Sequence, residues 1–160
     1  MYGIYKGKKY RVAKISTFYR VISGEKEEGF EEYIDILGKK RPDIFVKDVD
    51  IHELDYLYKI VYEIQYKGHF YIFKNGDFTK RAIAEEAFYI LSDDISNAKF
   101  FESLGFTRSD KFYFDKKISR SDIEAIKIIE KPLGIFKDRG SKVKIIEGAD
   151  IDDFLASVKD

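Results

Sequence analysis

The sequence predicts an α+β fold made from one unit used twice. The expected order is β-β-β-α-β-α, the same again, and a closing β-β-α, mainly antiparallel sheet with helices packed on it. Three observations predict this. Residues 37–60 (LGKKRPDIFVKDVDIHELDYLYKI) recur in altered form as residues 104–129. Short β-branched and aromatic runs separated by Gly-containing turns mark strands joined as hairpins. Apolar residues at helical spacing behind capping residues mark helices between them.

The repeat aligns at a spacing of 67 from Leu37/Leu104 and Gly38/Gly105 through Arg41/Arg108, Asp43/Asp110, Phe45/Phe112 and Asp48/Asp115. It then aligns at 69 for Val49/Ile118, Asp50/Ser119, Glu53/Asp122, Leu54/Ile123, Leu57/Ile126 and Ile60/Ile129. Asp50 and Ser119 each have an acid three residues on, the capping-box spacing. Val49 and Ile118 stand where a hydrophobic staple needs them. Upstream, Tyr5-Lys6-Gly7 and Tyr10 match Tyr66-Lys67-Gly68 and Tyr71 at a spacing of 61. A third, truncated start is read at Gly134-Ile135-Phe136-Lys137.

In chain order, residues 2–6 read as a strand closed by a Lys-Gly turn. Residues 9–15 alternate as a second strand, and residues 17–23 pair with it. A helix is expected over 28–37, because Phe30, Tyr33, Ile34 and Leu37 fall on one helical face and Gly38 can end it. A strand over 43–48 and a helix over 50–61 complete the first unit. The second opens with strands at 62–66 and 69–74. Residues 78–86 fit either helix or strand, and 87–91 read as strand. A helix at 95–104, a strand at 111–116 and a helix at 119–130 follow, ended by Pro132. Strands at 134–137 and 142–146 and a helix at 150–158 close the chain. The expected divisions are 1–62, 63–130 and 131–160, packed as one compact unit because no Pro-, Gly- or Ser-rich linker separates them.

Composition narrows the function. Lys+Arg and Asp+Glu both number 29, so the net charge is zero, which argues against a strongly basic nucleic-acid binder and an acidic DNA mimic. There is no Cys, which removes disulfides, thiolate metal sites and cysteine nucleophiles and fits a cytoplasmic setting. No signal peptide and no long apolar span is visible, so no membrane partner is expected. His52 and His69 lack metal-ligand spacing, no serine lies in GxSxG, and no glycine-rich phosphate loop occurs. The carboxylates Asp48, Asp50, Glu53 and Asp55 could form an acid–base site. Capping explains Asp50 and Glu53 better, and Asp150, Asp152 and Asp153 suit the start of the last helix. No catalytic, cofactor-binding or metal-binding residue is therefore assigned, no cofactor is expected, and the protein reads as a non-enzyme.

Lys6, Lys8, Lys9, Arg11 and Lys14 interleave with Tyr5 and Tyr10, a pattern that can grip nucleic acid. Strand alternation accounts for the same pattern, so nucleic acid is the alternative and not the favoured partner. Residues 99–106 (KFFESLGF) resemble an element of the acyl-CoA N-acetyltransferases, but that family's glycine-rich pyrophosphate loop is missing. More of the chain is involved in a second likeness, through Tyr5-Lys6-Gly7, Leu37-Gly38, residues 43–53, Tyr66-Lys67-Gly68 and residues 104–122. This arrangement resembles small duplicated immunity proteins of Gram-positive bacterial toxin systems. The resemblance implies a cytoplasmic inhibitor that binds and neutralises one toxin domain.

The expectation is therefore a protein-binding module, with toxin immunity as its sharpest form. A nucleic-acid module and an enzyme with a carboxylate site are the alternatives. Tyr and Arg are frequent anchors at protein interfaces. The candidate partner-binding residues are Tyr19, Arg20, Tyr56, Tyr58 and Tyr89.

Overall fold

The structure is a computed structural model that describes residues 1–159. The chain divides into two compact units, residues 1–60 with 130–141, and residues 61–129 with 142–160. The C-terminal segment is thus shared out between the units.

The first unit contains β1 (Tyr2–Tyr5), β2 (Lys8–Ile15), β3 (Phe18–Ser23), β4 (Glu31–Ile34), β5 (Lys40–Val49) and the start of β6 (Tyr56–Tyr66). They pair antiparallel in the order β4-β5-β3-β2-β1-β6. Lys6 and Gly7 both have positive φ, 48° and 75°, so β1 and β2 meet in the tight turn that matches strand twist. Alternate residues face one core of Tyr5, Tyr10, Val12, Tyr19, Val21, Phe30, Val49, Leu54, Leu57 and Phe136.

The second unit takes the end of β6 and adds β7 (His69–Phe73), α1 (Lys80–Ala84), β8 (Phe88–Ser92), α2 (Ala98–Ser103), β9 (Thr107–Asp110) and β10 (Tyr113–Ile118). Here β6-β7-β8-β10-β9 repeats the antiparallel path. β11 (Ala125–Pro132) pairs with β6 and with β12 (Lys142–Glu147), and α3 (Ala149–Ala156) follows.

The duplication is visible in the packing. Tyr5/Tyr66, Tyr10/Tyr71, Val12/Phe73, Tyr19/Phe88, Val21/Ile90, Phe30/Phe106, Val49/Ile118, Leu54/Ile123 and Leu57/Ile126 are all buried, the first of each pair in one core and the second in the other. The turns repeat as well. Asp55 accepts a hydrogen bond from the Gly7 amide at 2.9 Å, and Glu124 from the Gly68 amide at 2.9 Å. Both capping boxes form, at Asp50/Glu53 and Ser119/Asp122.

The α+β expectation is overturned, because the fold is mostly antiparallel sheet. Among the described residues there are twelve strands, and the longest helix has 8 residues. The helix expected at 50–61 is one 3-10 turn, Ile51–Glu53, followed by strand. The capping box closes that turn, and the Tyr-, Ile- and Val-rich run behind it prefers a pleated surface. The same holds after Ser119, where Arg120–Asp122 leads into β11. The helix expected at 28–37 is replaced by β4, which pairs antiparallel with β5, and by the turn after it, so Ile34 and Leu37 of the supposed apolar face stand exposed. Residues 134–137 lie in a 3-10 helix, not a strand.

The register also corrects the alignment in the middle of the repeat. Phe45 pairs across from Ser23 and Phe114 from Ser92, so Phe45 corresponds to Phe114 and not to Phe112. Lys47 Nζ lies over Gly29 and Lys116 Nζ over Gly105, so Gly105 corresponds to Gly29 and not to Gly38. The β4–β5 hairpin has no counterpart of equal length, since β9 and β10 are joined by a short turn.

Candidate functional site

The β4–β5 hairpin ends in an ordered five-residue tip, residues 35–39. One carboxylate organises it. Asp35 Oδ1 accepts from the Leu37 and Lys39 amides, both at 2.9 Å. The backbone closes from Gly38 N to Asp35 O at 2.9 Å, with Gly38 at φ 77°. This is a side-chain-templated turn with glycine in the left-handed region, which resists collapse.

What the tip displays is apolar. Ile36 is 98% exposed and Leu37 87%, with Ile34 54% exposed on the adjoining edge strand. Single exposed aliphatic residues are ordinary, whereas a contiguous group on a fixed turn marks an interaction surface. Glu31, Glu32, Asp35 and Asp43 stand against Lys39, Lys40 and Arg41 around it, and Lys40–Glu32 and Arg41–Asp43 approach within 3.6 and 3.5 Å. The base of the tip is therefore of mixed charge.

The residues selected from sequence are scattered. Tyr19 is 9% exposed and belongs to the first core. Arg20 lies on the opposite face of the same strand and binds Asp48 through two hydrogen bonds of 2.7 and 2.8 Å. Tyr56 and Tyr58 stack at 5.2 Å, Tyr58 stacks on Tyr2 at 5.7 Å, and Lys9 lies over the Tyr2 ring at 4.6 Å. Tyr58 is only 5% exposed, so this ladder is largely internal. Tyr89, in the second unit, occupies the position equivalent to Arg20 and is 37% exposed. Sequence reasoning missed the Ile36–Leu37 tip. The signal was Asp35-Ile36-Leu37-Gly38, with Asp at the first and Gly at the fourth position of a turn.

The acids considered for catalysis are engaged locally. Asp50 accepts from the His52 amide and ring Nδ1, at 2.9 and 2.7 Å, and Glu53 accepts from the Asp50 amide at 2.7 Å. Asp115 and Lys74 form a half-buried ion pair, with Lys74 also over the Tyr113 ring at 5.2 Å. Burial pushes the Asp115 carboxyl up, but hydrogen bonds led by Lys74 outweigh it and hold it below the usual range. The equivalent positions in the first unit are Val46 and Ala13, so this fold does not require the pair. Among the described residues no group of three or more acids and histidines converges to hold a metal. Among them, too, no helix is long and apolar enough to cross a membrane.

The loop after β3 is held by a single acid. Glu27 accepts from Lys8 Nζ at 2.8 Å, Tyr10 Oη at 2.7 Å and Ser23 Oγ at 2.9 Å. These bonds, with Lys8 first, pull its carboxyl down from 4.5 to about 2. Since the folded value is depressed, the contribution is complete above about 4.5 and is lost as pH falls toward about 2. Urea midpoints measured across that range should fall with acid in the native protein. The fall should be shallower in Glu27→Gln; equal slopes would count against the assignment.

Residues 1–133 match the family described as uncharacterised conserved protein UCP033725, and the chain belongs to it. No curated protein and no solved structure matches the chain.

Proposed function

We propose that the chain is a non-catalytic protein-binding module that seats the Ile36–Leu37 tip in an apolar pocket of its partner. The observation that carries this reading is an ordered turn holding two aliphatic side chains almost wholly in water. Full burial of such side chains is worth about 1.5–3 kcal/mol each, and here that gain is available only on association. The mixed charges at the base supply a polar rim that can select the partner and fix the register. With four acids against three bases, the tip is poorly suited to an anionic membrane. A cytoplasmic setting belongs to this reading, since the chain carries no cysteine to be oxidised.

The test is affinity capture from the organism's own lysate, with the genes beside its own co-expressed. Native protein is compared with an Ile36→Asp/Leu37→Asp variant. A stoichiometric protein partner should be retained by the native chain, and the variant should bind it about 30-fold or more weakly. Unfolding curves should coincide, because the tip contributes nothing to either core. Equal capture by both chains would remove the tip from the interface. Nucleic acid co-purifying and lost at high salt would replace this reading with the basic-strand alternative. The immunity form adds one requirement: the partner is toxic alone and silent in the complex.

A further inference from the structure

The first unit contains a carboxylate where three donors converge, and the second unit keeps the equivalent positions without the acid. Lys8, Tyr10 and Ser23 converge on Glu27. Their counterparts are His69, Tyr71 and Ser92, fixed by the matching Tyr-Lys-Gly turns and by the pairing of Ser23 with Phe45 and Ser92 with Phe114. Counting back from Gly29 and Gly105, the place of Glu27 is taken by Ser103. Its hydroxyl is turned away and donates to the Phe100 carbonyl at 2.6 Å. The lengthened loop carries α2, which sets Phe101 edge-on to Tyr71 at 6.3 Å.

Tyr71 is consequently 6% exposed with a buried hydroxyl that has no hydrogen-bond partner. Buried hydroxyls are rarely left so, and each one calls for an explanation. Ser92 Oγ accepts from the Asp94 amide at 3.3 Å, which leaves its own proton for another acceptor. Both residues line a groove of about 340 Å³, together with His69, Asn97, Phe100 and Phe101.

We propose that this groove binds a carboxylate, which accepts from Tyr71, Ser92 and His69 as Glu27 accepts from their counterparts. The aromatic wall suits a short apolar stem behind the carboxylate, as in a small aliphatic acid or a glutamate side chain. The acids at the rim weaken the site and do not close it. Glu63 is offset by Lys127 at 2.9 Å, whereas Asp94, which accepts from Ser96 and Asn97, keeps its charge and repels the ligand from the rim. Asp93 is exposed, where solvent screens it.

The test is an NMR titration of the full chain with propionate, with propionamide as the neutral control. Propionate should shift the His69, Tyr71, Ser92 and Phe101 signals saturably, and propionamide should bind far more weakly. Tyr71→Phe retains the ring and removes one donor to a charged acceptor, so propionate affinity should drop about tenfold. A blocked tripeptide with central glutamate separates the two sources. If it binds tighter than propionate, the natural ligand is a partner's side chain. If it binds no tighter, the ligand is a free small acid. No saturable shift with either probe, or an affinity unchanged in both Tyr71→Phe and Ser92→Ala, would overturn the proposal.

Discussion

Phe88→Ala is expected to cost about 3–5 kcal/mol of stability. Phe88 is 0% exposed and lies on the core face of β8. Its ring meets Phe78 at 6.1 Å, and Phe78 in turn stacks on Phe73 at 4.3 Å and meets Phe154 edge-on at 5.3 Å. Removing it opens a cavity in an interlocked aromatic group whose members hold one another in place. Large rings so confined cannot close the space, so both the transfer loss and the cavity loss are felt. Urea unfolding of the two proteins gives the difference. A cost below about 1.5 kcal/mol would mean that the surrounding rings repack. Phe88→Leu, which fills most of the space, should cost markedly less.

The position equivalent to Phe88 is Tyr19, and that pair shows how much of the fold could be read from residues alone. The segments around both are β-branched and aromatic, which predicts strand, and both are strands. The repeat was legible wherever the physics is local. The Tyr-Lys-Gly turns need positive φ, and the capping boxes need an acid three residues on; both occur in each copy. At residues 37–48 a Leu-Gly pair suggests a correspondence that the hydrogen-bonded register contradicts. Sequence spacing cannot count residues lost from a hairpin loop when two Phe residues, at 112 and 114, compete for the same match.

The helices failed for a different reason. Leu54, Leu57 and Ile60 fall at helical intervals, but in the strand Leu57 and Ile60 point to opposite faces, and of these two only Leu57 joins the core. The choice was made by the ladder that Tyr56–Tyr66 completes with β1 and β7, and those partners are far away in sequence. The candidate site was less legible still. Ile36 and Leu37 have the composition of a core and became a surface because Asp35 and Gly38 lock the turn beneath them. The groove beside Tyr71 is visible only by comparison, since the missing Glu27 has meaning only once Gly29 and Gly105 are matched.

Leu57→Ala and Ile126→Ala remove equivalent buried side chains, 1% and 0% exposed, and each is expected to cost about 2–5 kcal/mol. The larger cost should fall on Leu57. Its cross-strand neighbour is Gly3, whose space is taken by Val12 and Leu54, and glycine has no side chain to move into the vacancy. A Cβ placed on Gly3 would come within 2.7 Å of Val12 Cγ2, so the room there is already committed to Val12. In the second unit the counterpart of Gly3 is Ile64, a fully buried side chain that can shift toward the space left by Ile126. Partial collapse lowers the cavity loss and leaves mainly the transfer loss. Paired urea titrations would rank the two. A greater loss for Ile126→Ala would show that Ile64 does not relax into the space, and that the residue standing opposite does not set the cost.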